Sequence, residues 1–224
     1  MIRAALYIDG FNLYHALDAL DQPHLKWVNL WALGRRMLLA STEELYLVRY
    51  CTAIKKGDPS KVSRHAEYIT ALEFNGVEVH KGHFITDQVD CRKCDHVWDK
   101  PQEKETDVNI AVHLIDDAYQ DLFDTAYLLT SDSDQGAVAR MFSFRFPKKK
   151  LVSVAPPGME ISKAISPAHT PHKLKLPVSF IEDCLLPGVQ TAGVPERVIF
   201  RRPESYQPPA GWLPPKERRT KAKP

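Results

Sequence analysis

Short apolar runs rich in β-branched and aromatic residues alternate along the chain with longer stretches whose apolar positions recur every three or four residues. The runs predict strands at 2–9, 43–53, 77–85, 125–130 and 150–155. The periodic stretches predict helices at 11–20, 29–39, 60–75 (ending at Asn75-Gly76), 106–120 and 134–144. Strand followed by helix, repeated, is the rhythm of βα units, and it implies an α/β fold with a central, mostly parallel sheet flanked by helices. Residues 87–104 carry no period and are expected to form an exposed insertion. A final element at 177–186 is expected to close the body, and no internal repeat shows.

Open parallel sheets bind their ligands at the carboxyl ends of the strands, so polar residues there matter most. Three acidic clusters occupy such positions: Tyr7-Ile-Asp9-Gly-Phe-Asn12 after the first strand, Thr106-Asp107-Val-Asn109 at a helix start, and Leu128-Leu-Thr-Ser131-Asp132-Ser133-Asp134 after a later strand. Each has an ordinary structural use, because Asp-Gly makes turns and Thr106, Asp107 or Asp134 can cap a helix. Gathered in one crevice, however, these carboxylates repel one another and lose hydration unless cations neutralise them. Oxygen donors of this kind suit Mg²⁺ or Mn²⁺, and a carboxylate-held pair of such ions is a standard device for phosphodiester cleavage. The glycine-rich phosphate loop, the dinucleotide fingerprint and the serine elbow are all absent from the sequence. A phospho-aspartate enzyme would want a second acid two residues after Asp9, where Phe11 stands.

At these residues the chain resembles a known family. Tyr7-Ile-Asp9-Gly-Phe-Asn12-Leu-Tyr, Lys104-Glu-Thr-Asp107-Val-Asn-Ile-Ala and Leu128-Leu-Thr-Ser131-Asp132-Ser-Asp134, in this order, are similar to the motifs of the NYN domain family. More narrowly they resemble its LabA-like branch, a relative of the PIN-domain nucleases, over roughly residues 1–185. The resemblance implies a PIN-like three-layer fold and a ribonuclease that depends on Mg²⁺ or Mn²⁺ and takes RNA as its partner. It also implies that Asp9, Asp107, Asp132 and Asp134 form the metal-holding catalytic site, with Asn12 orienting water or substrate beside Asp9. Ser131 stands where many relatives have glycine, and Gln135 where an apolar residue is commoner. Lys104 and Ser131 are candidate substrate contacts, whereas His15 and His113 read as structural or surface residues, and at least one of Asp116 and Asp117 should face water. The alternative function is a catalytically silent RNA-binding or protein-interaction module on the same fold. A third reading is a phosphatase-like enzyme acting on small phosphate substrates.

Composition refines this picture. The 224 residues, 44% hydrophobic and 26% charged, fit a globular domain with an appendage. The net charge of +2 is uneven, since residues 187–224 hold eight Lys or Arg against three Glu, a net of +5, which leaves residues 1–186 at −3. We therefore divide the chain into a body, 1–186, and a basic, proline-rich tail, 187–224. The prolines should keep the tail free of helix, with Val198-Ile-Phe, Tyr206 and Trp212 packing part of it on the body. Its cations and interleaved aromatics suit single-stranded nucleic acid, as they would also suit a solubilising or partner-binding tail. Cys91-Arg-Lys-Cys94 has the spacing of half a structural Zn²⁺ site, with His80, His83 and His96 as the nearest further donors, and free thiols are the competing reading. No stretch approaches the roughly 18 apolar residues of a membrane span, nor does the amino end hold a signal h-region, so the expected location is cytoplasmic. A homodimer is compatible with the sequence, which fixes no oligomeric state.

Overall fold

The first strand, β1 (Ile2–Asp9), is apolar on both faces, Ala4, Leu6 and Ile8 facing one layer and Ala5 and Tyr7 the other, as the centre of a sheet covered on both sides requires. In the computed structural model, which describes residues 1–55, 57–94, 96–165 and 172–221, with side chains to Arg218, it is followed by α1 (Gly10–Asp18), a 3₁₀ turn (Pro23–Trp27), α2 (Leu30–Met37) and β2 (Glu43–Thr52). Then come α3 (Pro59–Phe74), β3 (Glu78–Lys81), β4 (His83–Asp90), β5 (Val97–Lys104), α4 (Thr106–Tyr119), β6 (Thr125–Leu129), α5 (Gly136–Arg145), β7 (Lys150–Ala155) and β8 (His172–Lys175). The chain closes with α6 (Val178–Glu182), β9 (Val189–Ala192), β10 (Arg197–Arg201), a 3₁₀ turn (Glu204–Tyr206) and α7 (Pro215–Lys221). Among the described residues no helix is long and apolar enough to cross a membrane.

The main sheet has the order β3-β2-β1-β6-β7-β8, and every pair in it is parallel. One helical layer carries Leu13, Leu17, Leu33, Tyr68 and Leu72 from α1 to α3, together with Ile181 of α6, against Leu6, Ile8 and Val152. The other layer packs Ile110 and Leu114 of α4 and Val138 and Phe142 of α5 against Ala5, Tyr7 and Leu128. This is the PIN-like three-layer arrangement. From β1 the chain winds outward through β2 and β3; it then returns to β1's other side at β6 and winds the opposite way. The crevice where strand order reverses therefore opens between the ends of β1 and β6.

Three expectations change. The strand expected at 77–85 is two strands, broken at Gly82, where a Cβ would stand 2.3 Å from the Lys104 carbonyl oxygen. Beyond that glycine β4 leaves the sheet and pairs antiparallel with β5, from His83↔Lys104 to Asp90↔Val97. The segment at 87–104 is thus mostly a hairpin arm, and it shows no apolar alternation because most of its residues are exposed on both faces. The sixth strand, β8, reads His-Lys-Leu-Lys; it is short and cationic, as edge strands often are, and lacks the apolar run that marks the inner strands. Finally, the tail does contain a helix: Pro215 opens α7, where its missing N–H breaks no helical bond. Phe200 of β10 is fully buried in the main core, 6.0 Å between ring centroids from both Trp27 and Phe74. The closing residues 222–224 of the basic tail lie outside the described residues.

Candidate active site

β1 ends on Asp9 and the next residue already begins α1. A turn this tight needs glycine: a Cβ on Gly10 would lie 2.6 Å from the Cys51 carbonyl oxygen on the neighbouring strand. Asp9 caps α1, its Oδ1 accepting the Asn12 N–H at 2.9 Å, while its Oδ2 accepts the Thr130 hydroxyl at 2.9 Å. Both oxygens keep lone pairs toward the crevice, because a carboxylate offers about four acceptor positions.

Asp107 arrives from the first turn of α4 and Asp132 from the loop after β6. Carboxylate oxygens of Asp9, Asp107 and Asp132 lie within 4.8 Å of one another. Burial, aided by repulsion from Asp107 and Asp132, pushes Asp9 up to about 6. Asp107 is also raised, by burial first and then by Asp132. Among the described residues no lysine or arginine forms an ion pair with any of the three. A trio of oxygen donors, mutually repelling and left unneutralised by the protein, fits a hard divalent cation.

The other expected site residues are placed differently. Asp134 is exposed and outside the trio; its N–H donates to Asp132 Oδ1 at 2.9 Å, fixing that carboxylate in an Asx-type turn. Asn12 lines the crevice, but its Oδ1 accepts the Ser131 N–H at 2.9 Å. The Ser131 hydroxyl donates to the Glu160 carbonyl at 2.8 Å. Lys104 is exposed at the foot of the hairpin arm and donates to Gln102 Oε1 at 3.0 Å. The helix bearing Asp107 is anchored from behind. Asp117, buried on α4, takes Nε and Nη2 of Arg49 at 2.6 and 2.8 Å and the Tyr7 hydroxyl at 2.6 Å, while Asp116 is exposed. His113 packs tilted against His80 at 3.7 Å between ring centroids, and His15 stacks on Phe11 at 6.5 Å.

The trio lines a cleft of about 750 Å³. The remaining walls hold residues that the motifs did not disclose: Glu103, whose Oε1 accepts the Thr106 N–H at 2.9 Å, Lys55, Lys61, Arg64 and His65 around the start of α3, and Tyr206 from the tail. The crowding of cations between Lys55 and His65 was the available signal.

Cys91 and Cys94 face each other at the turn of the hairpin arm. The backbone N–H groups of Lys93 and Cys94, with the Cys94 thiol, hold the Cys91 thiol below its usual range. Among the described residues no third donor joins them. His83 pairs with Glu105 at 3.3 Å, His80 packs against His113, and His96 is stacked on Trp98 at 6.0 Å between centroids.

The family model of the NYN domain matches residues 3–165. A curated relative, the 6-hydroxy-3-succinoylpyridine 3-monooxygenase HspA of Pseudomonas putida, is 27% identical, with the alignment covering 62% of this chain and 55% of that one. The chain thus spans about half the length of that relative. A crystal structure of a protein of unknown function from Vibrio parahaemolyticus superposes with a TM-score of 0.51 at 18% identity, covering 83% of this chain and 96% of the other. At that identity the likeness speaks for the fold alone.

Proposed function

Because the chain belongs to the NYN domain family, a family of PIN-like nuclease fold that engages nucleic acid in general, we propose that it is a ribonuclease cutting RNA phosphodiester bonds with Mg²⁺ or Mn²⁺. The observation that carries this reading is the convergence of Asp9, Asp107 and Asp132 within 4.8 Å, in a cleft also lined by Lys55, Lys61 and Arg64. The motif resemblance to the LabA-like branch supports the same reading.

In this reading the three carboxylates hold the cation. Bound there, a hard divalent ion lowers the pKa of a water and offsets negative charge on the scissile phosphate. The chain's own residues set the geometry. Thr130 and the Asn12 N–H fix Asp9, the Asp134 N–H fixes Asp132, and the Arg49 fork on Asp117 fixes the helix that presents Asp107. Asp134 acts through Asp132 and through its charge near Asp107.

The test compares wild type with Asp9→Asn and Asp132→Asn on single-stranded and structured RNA, with either metal and with EDTA. Wild type should cut only with metal, and each variant should lose about 10²–10³-fold in rate, the usual cost of one well-placed electrostatic group. Equal cleavage by all three proteins would mean a contaminating nuclease. Binding without cutting would favour the silent RNA-binding module. Faster turnover of mononucleotides than of oligonucleotides would favour the small-phosphate enzyme.

A further inference from the structure

The cleft that holds the acids also has a cationic wall. This wall is the first half of α3, capped by Asp58 and turned toward the cleft through Lys61, Arg64 and His65, and it is closed by Tyr206. Arg64 is the distinctive member. Its Nη1 donates to the Ser60 hydroxyl, and among the described residues its buried Nε has no partner. The side chain as a whole is half-buried and lines the cleft, so its charge is only partly hydrated. Among the described residues no carboxylate pairs with it: Asp18 pairs with Lys26, and Glu67 accepts the Arg201 N–H at 2.6 Å. His65 is pushed down by burial and approaches the Thr52 hydroxyl at 3.3 Å, so it is a neutral neighbour. The acceptor this side chain would take is an anion in the cleft, met by the accessible edge of the guanidinium rather than by the buried Nε.

Tyr206 gives that anion a second recognition element. The phenol ring lies 6.0 Å from the Arg64 guanidinium carbon. It is carried by the 3₁₀ turn after β10, which the Arg201–Glu67 bond ties back to α3, and it belongs to a segment beyond the 3–165 family match. Guanidinium beside an aromatic face is what a phosphate with its adjoining base uses in single-strand recognition.

Resting on the ribonuclease reading above, the geometry points to a subsite on this wall of the cleft for a non-scissile phosphate and its base on a single-stranded nucleic acid, with Arg64 on the phosphate and Tyr206 beside the base. The tail contributes a stacking ring to it. Its net charge is not what the subsite uses: Arg202 is buried on the Leu186 carbonyl, and Arg218 pairs with Glu182 at 3.1 Å.

The experiment measures binding of a labelled single-stranded RNA of about ten nucleotides to the full chain in EDTA, across a salt series. Arg64→Ala and Tyr206→Ala should each weaken binding about tenfold, the low end of base stacking and charge-assisted contacts. Arg64→Ala should also reduce the slope of log K against log salt by about 0.7, the share of one phosphate on a single strand. Arg64→Lys should recover the slope and part of the affinity. Lys173→Ala, which removes the same charge from the exposed edge strand β8, should stay within about twofold of wild type. Melting temperatures near wild type show that the variants fold, and Arg64→Gln serves where Arg64→Ala does not. If Arg64→Ala and Lys173→Ala behave alike, or if wild type binds no strand, the subsite is overturned while cleavage is still decided by the acid variants. A wild type that binds through Arg64 but never cuts keeps the subsite and defeats the nuclease reading.

Discussion

Asn12 Oδ1 accepts the Ser131 N–H at 2.9 Å, joining the first turn of α1 to the loop that carries Asp132. The two residues come from the first and the third acidic motif, so this bond, with the Thr130 hydroxyl that donates to Asp9 at 2.9 Å and accepts the Asp132 N–H at 3.0 Å, helps set the spacing between Asp9 and Asp132. This bond gives Asn12 a positioning role, and its oxygen keeps a second lone pair. Asn12→Ala should leave a half-buried N–H unpaired at a cost of about 1–3 kcal/mol and lower turnover more than it weakens RNA binding. Asn12→Asp retains an acceptor and should keep the fold while adding a fourth negative charge to the crevice. Denaturant unfolding and steady-state kinetics on the two variants check both statements.

Asp9 makes the metal-free protein sensitive to pH in a defined direction. Its folded pKa of about 6 stands above the ordinary 3.8, so between those values the folded state keeps a proton that the unfolded state releases. Stability should therefore fall as pH rises from about 4 to 6 and stay reduced at neutral pH, by on the order of 3 kcal/mol from this group. In EDTA, Asp9→Asn should melt above wild type at pH 7.5 and level with it near pH 4. Adding Mg²⁺ or Mn²⁺ at pH 7.5 should raise the wild-type melting temperature and leave that of the variant unchanged. A difference between the two proteins in EDTA that does not vary with pH would contradict the assignment.

The four cysteines should divide into two classes. Cys91 has a lowered thiol pKa, whereas burial pushes Cys51 up to about 12 and raises Cys184 as well. Iodoacetamide at neutral pH should modify Cys91 and Cys94 in the native protein, and Cys51 and Cys184 only after unfolding, as read by peptide mass spectrometry. Added Zn²⁺ that slows modification of the exposed pair would mark them as metal ligands; unchanged rates would mark them as plain thiols.

Phe200 makes the tail part of the folding unit. Phe200→Ala should cost about 3–5 kcal/mol, because the ring fills the space between Trp27 and Phe74. Urea denaturation measures it, and a chain ending at residue 186 should be less stable still.

The inner strands and main helices were legible because each writes its own burial into the sequence. β1 and β6 are continuous apolar runs, and α3 ends at the Asn75-Gly76 turn. Asp9, Asp107 and Asp132 were legible because a tight strand-to-helix turn and a helix start leave few residue types that fit. What escaped was set by tertiary contact. β4 and β5 pair with each other outside the core and so carry no periodic apolar signature, and Gly82 breaks the strand only because Lys104 passes behind it. The cationic wall joins α3 to Tyr206, residues that no local pattern relates, and Asp134 carries motif spacing yet turns its side chain to solvent.

The reversal of strand order between β1 and β6 has a consequence for the newly made chain. Asp9 leaves the ribosome first, Asp107 only after the hairpin arm, and Asp132 last, on a loop whose strand must dock beside β1 before the three oxygens meet. A fragment that stops short of β6, or a molecule in which β6 has peeled away from β1, holds scattered carboxylates and no cation site. On the ribonuclease reading proposed above, the acidic centre would work as a proofreading mark on the fold: a chain would gain its metal only once both halves of the sheet are complete, and an unfinished copy would be inert toward the RNAs that surround its synthesis.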